Sequence, residues 1–356
     1  MKVVQLSAVC LIGLGLAVAV PAGEAAATSG TATVLYVTTT GHDVGSCTSA
    51  KPCKTINYAL TKAAPNATIH VAAGTYHQTV VINQPVTLTG AGVGKTILNG
   101  AGLDPGGVYY GVVYVHSAGR NVVVSGFTIT NPFPYAYTGG EPEIVALSDP
   151  TPSDLIVFDH VLLSEGTADS NRSTDFPIGI DTFKNAARTV FENSTIEGTF
   201  QGGLFEDNGL AIFRHNTVKG LISNTANSTT YVGEGLFFLS DLKQALVYQD
   251  AFGNTFTGYA GYGVGVQAGY DNGNCPATPC DGSIQGKVMN NVFALKGAKA
   301  AAAIFVESSY AGNQLTFSIA GNTGYVTTPT AAIREVAKAG GAMSITAWDN
   351  PILVKS

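Results

Sequence analysis

At 356 residues the chain is long enough for one large domain or two smaller ones, and its 45% hydrophobic content is ample for a core. Only 12% of residues are charged and the net charge is a mild -6, which excludes the basic footprint of a nucleic-acid-binding protein. With 43 glycines among recurring Val, Ile, Thr, Phe, Tyr and Asn, local preference runs to short strands and tight turns rather than helices.

The chain opens with Lys2, an apolar stretch from Val3 to Val20, and small residues at Ala25-Ala26-Ala27. That order is a secretory signal over residues 1–27, with the mature chain starting near Thr28. The apolar run approaches the roughly 17-residue minimum of a membrane-spanning helix. Pro21 and Gly23 break it, and no basic stop-transfer cluster follows, so a secreted protein without stable membrane insertion is expected. No linker interrupts the chain after about residue 33, and 28–356 reads as a single domain. Apart from Cys10, the cysteines form two close pairs, Cys47 with Cys53 and Cys275 with Cys280. Four cysteines permit three connectivities; local pairing is favoured because each pair closes a short loop. A metal site is disfavoured by the spacing and by the lack of nearby histidine.

The one clear helical stretch is Thr55–Ala64, with Ile56, Ala59, Leu60 and Ala63 on one face. Strands follow at Thr68–Ala72, Thr79–Asn83 and Val86–Gly90. From there two short phrases alternate. The first is Asn, a small or β-branched residue, then an apolar one, at Asn193, Asn216, Asn254, Asn291 and Asn322. The second reads Gly179-Ile-Asp-Thr-Phe, Gly203-Leu-Phe-Glu-Asp, Gly235-Leu-Phe-Phe-Leu, Gly263-Val-Gly-Val-Gln and Ala303-Ile-Phe-Val-Glu. Strand phrases repeating at a period of roughly 20–40 residues signal a solenoid, whose units bury an apolar face only by stacking. The amphipathic helix then covers the open amino end. Asn at one coil position suits a turn, where it tolerates the left-handed conformation. Stacking at about 4.8 Å would let successive amides form a hydrogen-bonded ladder.

The stretch from Cys53-Lys-Thr-Ile-Asn-Tyr-Ala-Leu through Thr68-Ile-His-Val-Ala-Ala-Gly-Thr-Tyr to Val86-Thr-Leu-Thr-Gly-Ala-Gly resembles the opening segment of pectin-lyase-like proteins. With the Asn phrases, the resemblance covers nearly all of the mature chain. It implies an all-β, right-handed parallel β-helix with a short amino-terminal capping helix. It does not imply a reaction, because this scaffold hosts lyases, hydrolases, esterases, epimerases and proteins without known activity. Gly74-Thr-Tyr-His-Gln78 is similar to a pectin methylesterase segment, but Gln78 stands where the acid would be, and the later esterase motifs are absent. The polygalacturonase set is missing as well. Val157-Phe-Asp-His160 is similar to a pectate lyase phrase without its Arg-bearing companion, and is read as strand patterning with Phe158 inward and Asp159 at a turn.

Aligning the second phrase on Ile180, Leu204, Leu236, Val264 and Ile304 as inward residues sends Asp181, Phe205, Phe237, Gly265 and Phe305 outward. Phe183, Asp207, Leu239, Gln267 and Glu307 follow two places on. This is an exposed strip of aromatics and acids, suited to the apolar faces and hydroxyls of a sugar chain. Asp181 and Asp207 are the candidate acid/base pair, as two neighbouring carboxylates whose repulsion raises one pKa. Phe183, Lys184, Phe205, Phe237, Gln267, Phe305, Glu307 and His116 are the candidate substrate-binding residues. Alternatively the acids hold calcium through oxygen ligands, with Lys184 or Arg188 near a uronate. Glu206 falls inward in this alignment, where a buried acid would need a partner. Asn66, Asn171, Asn193 and Asn227 begin Asn-x-Ser/Thr sequons. The expected partner is polysaccharide or cell-wall glycan, engaged either by a lyase or hydrolase or by a non-catalytic binding or structural protein.

Overall fold

The structure is a computed structural model. It describes residues 33–103, 111–116, 121–132, 143–148, 153–166, 177–182, 187–206, 209–222, 233–240, 247–269, 282–296, 302–309, 312–327, 331–338 and 340–355. The signal segment, Cys275 and Cys280 lie outside them. Among the described residues no helix is long and apolar enough to cross a membrane.

Strand-forming residues alternate in short runs, and the chain winds them into three all-parallel sheets of eleven, nine and ten strands. Each coil passes from the eleven-stranded sheet to the ten-stranded, then the nine-stranded, and back, so every strand pairs with its equivalent one coil away. One coil, for example, runs through Leu155–Asp159, Leu162–Ser164 and Ile178–Thr182 before Arg188–Glu192 begins the next. This is the expected right-handed parallel β-helix. Its interior is a stack of like residues. Phe158, Phe191 and Phe213 follow one another at centroid distances of 6.2 and 5.3 Å, and Phe256 and Phe293 at 5.4 Å. Each such pair adds about 0.5–1.5 kcal/mol beyond the area it buries.

The corner between the eleven- and ten-stranded sheets is mostly a two-residue turn. Its first residue is left-handed: His160, Asn193, His215, Gly253, Asn290, Gly321 and Asp349. Its second points inward. At Asn216, Asn254, Asn291, Asn322 and Asn350 that second residue builds the expected ladder. The Asn254 side-chain carbonyl accepts the Asn216 backbone N–H at 2.9 Å; Asn291 accepts from Asn254 at 2.9 Å and Asn322 from Asn291 at 3.0 Å. The side-chain amides donate to strand carbonyls, Asn254 to Phe213 at 2.8 Å and Asn291 to Ala251 at 3.1 Å. The alignment is corrected in one respect. The left-handed residue is the one before the laddered Asn, and Asn193 is such a residue, so Ser194 takes the ladder place in its coil and accepts the Val161 N–H at 3.0 Å.

The helix forms over Ile56–Lys62 and buries Ile56, Ala59 and Leu60 against the first coil. The Thr55 hydroxyl caps it by accepting the Tyr58 N–H at 3.2 Å, and the Gln78 side-chain carbonyl accepts the Ile56 N–H at 3.1 Å. Gln78, which departs from the esterase pattern, thus holds the capping helix. The Cys47–Cys53 disulfide staples the preceding loop. Asp43 joins loop to helix, its carboxylate accepting the backbone N–H groups of Lys54 and Thr55 and the Thr55 hydroxyl, each at 2.9 Å. Burial pushes its pKa up, but these hydrogen bonds and the nearby Lys54 outweigh that and leave it below 3.8. A depressed carboxylate stabilises the fold above its unfolded pKa and loses that contribution as pH falls through the folded value. Asp43→Asn is therefore expected to lower Tm at neutral pH, with the gap to wild type narrowing below about pH 4. A gap independent of pH in a thermal-melt series would contradict this.

At the carboxy end Ile352 is buried and Ile352–Lys355 pairs with Thr323–Thr327, so these residues complete the last coil while Trp348, Leu353 and Val354 stay exposed.

Candidate functional site on the nine-stranded sheet

The long insertions enter and leave the nine-stranded sheet, whereas the opposite corner keeps its two-residue turn. Its strands begin with a tight corner at Gly179, Gly202, Gly235 and Gly263. A Cβ at Gly202 would lie 2.2 Å from the Gly235 carbonyl oxygen, and one at Gly235 2.3 Å from that of Gly263, so side chains are excluded there. These glycines set the register, with Ile180 opposite Gly203, Gly203 opposite Leu236 and Leu236 opposite Val264.

This corrects the sequence alignment at one coil. Gly202 rather than Gly203 is the equivalent of Gly179 and Gly235, so everything after it shifts by one place. Leu204 turns outward. Phe205 turns inward, fully buried between Phe213 and Phe238 at 6.1 and 5.8 Å, and is a core residue rather than a sugar platform. Glu206, not Asp207, occupies the place opposite Leu239 in the row that continues to Gln267 and Glu307. The acid that the alignment drove into the core is an outward acid, so its cost as a buried charge marked the error.

Three outward rows result. The first runs Tyr114, Ala146, Asp181, Leu204, Phe237, Gly265, Phe305 and Arg334. The second places His116 beside Ser148 at one end, and Glu206, Leu239, Gln267 and Glu307 towards the other. The third holds Glu143, Ile178, Gln201, Glu234 and Tyr262. The strip is less open than the sequence implies. Asp181, Glu206, Gln267 and Glu307 point away from the core yet are only 7, 5, 9 and 6% exposed.

The aromatics cluster where the strip is more accessible. Gly265 leaves a gap in the first row, and the half-buried Tyr262 ring fills it, lying 5.8 Å from Phe237 and 5.6 Å from Phe305. A Cβ at Gly265 would come within 2.4 Å of Tyr262 and 2.7 Å of Phe237. The Arg334 guanidinium extends the ladder, 5.7 Å from the Phe305 centroid. Tyr262 escaped the sequence reading because it sits two residues ahead of the aligned Val264, on a row that only the pairing defines. Beside this ladder, Glu307 accepts from Lys338 Nζ at 2.8 Å, from Ser309 Oγ at 2.8 Å and from Gln267 Nε2 at 3.3 Å. Gln267 and Glu307 are thus brought together, with Ser309 and Lys338 added. Gln201 Nε2 donates to Glu234 at 2.7 Å in the third row.

His116 lies on the same outer face. Its ring stacks on Tyr114 at 5.5 Å and its Nδ1 is 3.0 Å from the Ser148 carbonyl oxygen. Arg188 begins a strand of the neighbouring eleven-stranded sheet, so it is not on this face. Phe183, Lys184 and Asp207 lie outside the described residues. Among the described residues no group of three or more His, Cys, Asp or Glu side chains converges as a metal-binding set.

The model of a family described as a protein of unknown function, DUF1565, matches residues 39–233, more than half of the 356-residue chain. The chain belongs to the DUF1565 family. That family lies in the pectin-lyase-like superfamily, as the sequence resemblance implied. No curated protein matches the chain in sequence. Similar solved structures include the pectin methylesterase from carrot, 12% identical over 89% of each chain with a TM-score of 0.40. The lacto-N-biosidase from Eubacterium ramulus is 13% identical over 90% of this chain and 68% of its own, with a TM-score of 0.41. The endopolygalacturonase I from Stereum purpureum is 13% identical over 82% and 88%, with a TM-score of 0.37. At these identities the likeness concerns the fold.

Proposed function

We propose that this DUF1565 protein is secreted and engages extracellular polysaccharide along the outer face of its nine-stranded sheet. The observation that carries the reading is the Phe237–Tyr262–Phe305 ladder beside the Gln267–Glu307–Ser309–Lys338 network. Half-buried rings held in series offer apolar platforms to the faces of successive pyranoses. Anchored carboxylates and amides at their edge suit the equatorial hydroxyls. The disulfide in the first coil and the signal-like amino terminus support export.

A second reading, in which the bound glycan is cleaved, is favoured by Asp181 and Glu206. They stand outward on adjacent paired strands, and both are largely shielded from water. Asp207, next in the chain, is the other candidate partner of Asp181. The mature protein should be incubated with polygalacturonate, alginate, xylan and mannan, with and without calcium, and passed over columns of each. Retention on at least one column is expected. New reducing ends alone identify a hydrolase, and reducing ends with new ultraviolet absorbance a lyase. If there is turnover, Asp181→Asn and Glu206→Gln are each expected to lower it at least about 100-fold while retention persists. Retention without product leaves a binding protein. Neither retention nor product would overturn the proposal.

A further inference from the structure

A second concavity lies away from this face, on the first coils of the eleven-stranded sheet. Tyr36, His70 and Thr89 are paired neighbours on the strands Val34–Val37, Ala67–Val71 and Val86–Gly90, and alternation turns all three outward. With Thr38, Ala72, Gly90 and Ala91 they line a cleft of about 290 Å³. The Tyr36 and His70 rings stand 5.6 Å apart at 35° to one another, forming an open aromatic angle.

We propose that this cleft binds a single neutral pyranose unit. Its volume falls at the bottom of the range of ligand pockets, roughly 300–1,000 Å³, which suits one ring rather than an oligosaccharide. The lining contains no Asp, Glu, Lys or Arg, so no permanently charged side chain in it compensates a carboxylate, sulfate or phosphate. Aromatic faces accept the C–H face of a sugar, and the Thr89 hydroxyl, on the outward row with Tyr36 and His70, meets one of its hydroxyls. The site is independent of the glycan strip on the nine-stranded sheet, and the two tests use different residues.

The experiment is a titration of the mature protein with methyl β-glucoside, methyl β-galactoside and methyl α-mannoside, with glucuronate as the charged control. The readout is the His70 imidazole C–H resonance. The expected result is a saturable shift with at least one neutral glycoside and at least tenfold weaker binding of glucuronate. Tyr36→Ala is expected to weaken the glycoside at least tenfold. Thr89→Val, which keeps the side-chain shape, should weaken it several-fold without lowering Tm, an outcome that a purely structural hydroxyl would not give. No His70 shift with any glycoside, equal binding of glucuronate, or full affinity in both variants would overturn the proposal. Loss of the polysaccharide ladder through Tyr262→Ala should leave this titration unchanged, so failure of either site is recognisable.

Discussion

Asn291→Ala is expected to destabilise the protein by about 3–4 kcal/mol. Asn291 is fully buried and makes four side-chain hydrogen bonds. It accepts from the Asn254 backbone N–H and from Asn254 Nδ2, both at 2.9 Å, and donates to Ala251 at 3.1 Å and Asn322 at 3.0 Å. Alanine leaves the Asn254 N–H without an acceptor in the interior, at about 1–3 kcal/mol, and adds a cavity the size of an amide. The Asn254 amide keeps its bond to Phe213 and the Asn322 carbonyl keeps the Asn291 N–H, so the network is not lost entire. Asn350→Ala makes the comparison, because its bonds to Asn322 are only part-buried and water replaces them there. Its expected cost is about 1 kcal/mol. Urea midpoints at unchanged slope measure both. A cost below about 1 kcal/mol for Asn291→Ala would mean that the ladder follows from the coil geometry without sustaining it.

The second large effect concerns the outer face. Tyr262→Ala is expected to weaken polysaccharide binding about 30-fold, or about 2 kcal/mol, as for a central aromatic anchor. Removing the ring opens the gap at Gly265 and leaves Phe237 and Phe305 without the neighbour that holds them in series. Gly265→Ala tests the same arrangement without deleting a ring. Its Cβ would meet Tyr262 at 2.4 Å and Phe237 at 2.7 Å, so the movable rings must shift while the strand keeps its pairing. It should therefore weaken binding with little change in Tm. Affinity electrophoresis with thermal melts separates the two quantities. Weakened binding accompanied by an equal loss of stability would assign the ladder to packing instead.

The architecture was largely legible in the sequence because each coil repeats the same demands. The alternation at Phe158 and Phe191 reads directly as strand, and Asn recurring at the corner reads directly as a stacked turn. The first failure came from Gly202-Gly203, where two adjacent glycines offer the same signal. Only the close approach of the Gly235 carbonyl to Gly202 decides which of them is the corner. That single place reversed Phe205 and Glu206. The second failure was Tyr262, whose role depends on the missing side chain at Gly265 three residues later and on neighbours in other coils. Periodicity within one strand does not carry such information. Burial of Asp181 and Glu206 was equally out of reach, since alternation gives direction but not cover.

The most direct test of the account is an oxidative side-chain footprint of the mature protein, read by mass spectrometry with and without a polysaccharide that its column retains. Protection of Phe237, Tyr262 and Phe305 is expected in the complex, with Trp348 and Leu353 oxidised as before. Protection centred on Trp348 or elsewhere, with the three rings unchanged, would contradict it.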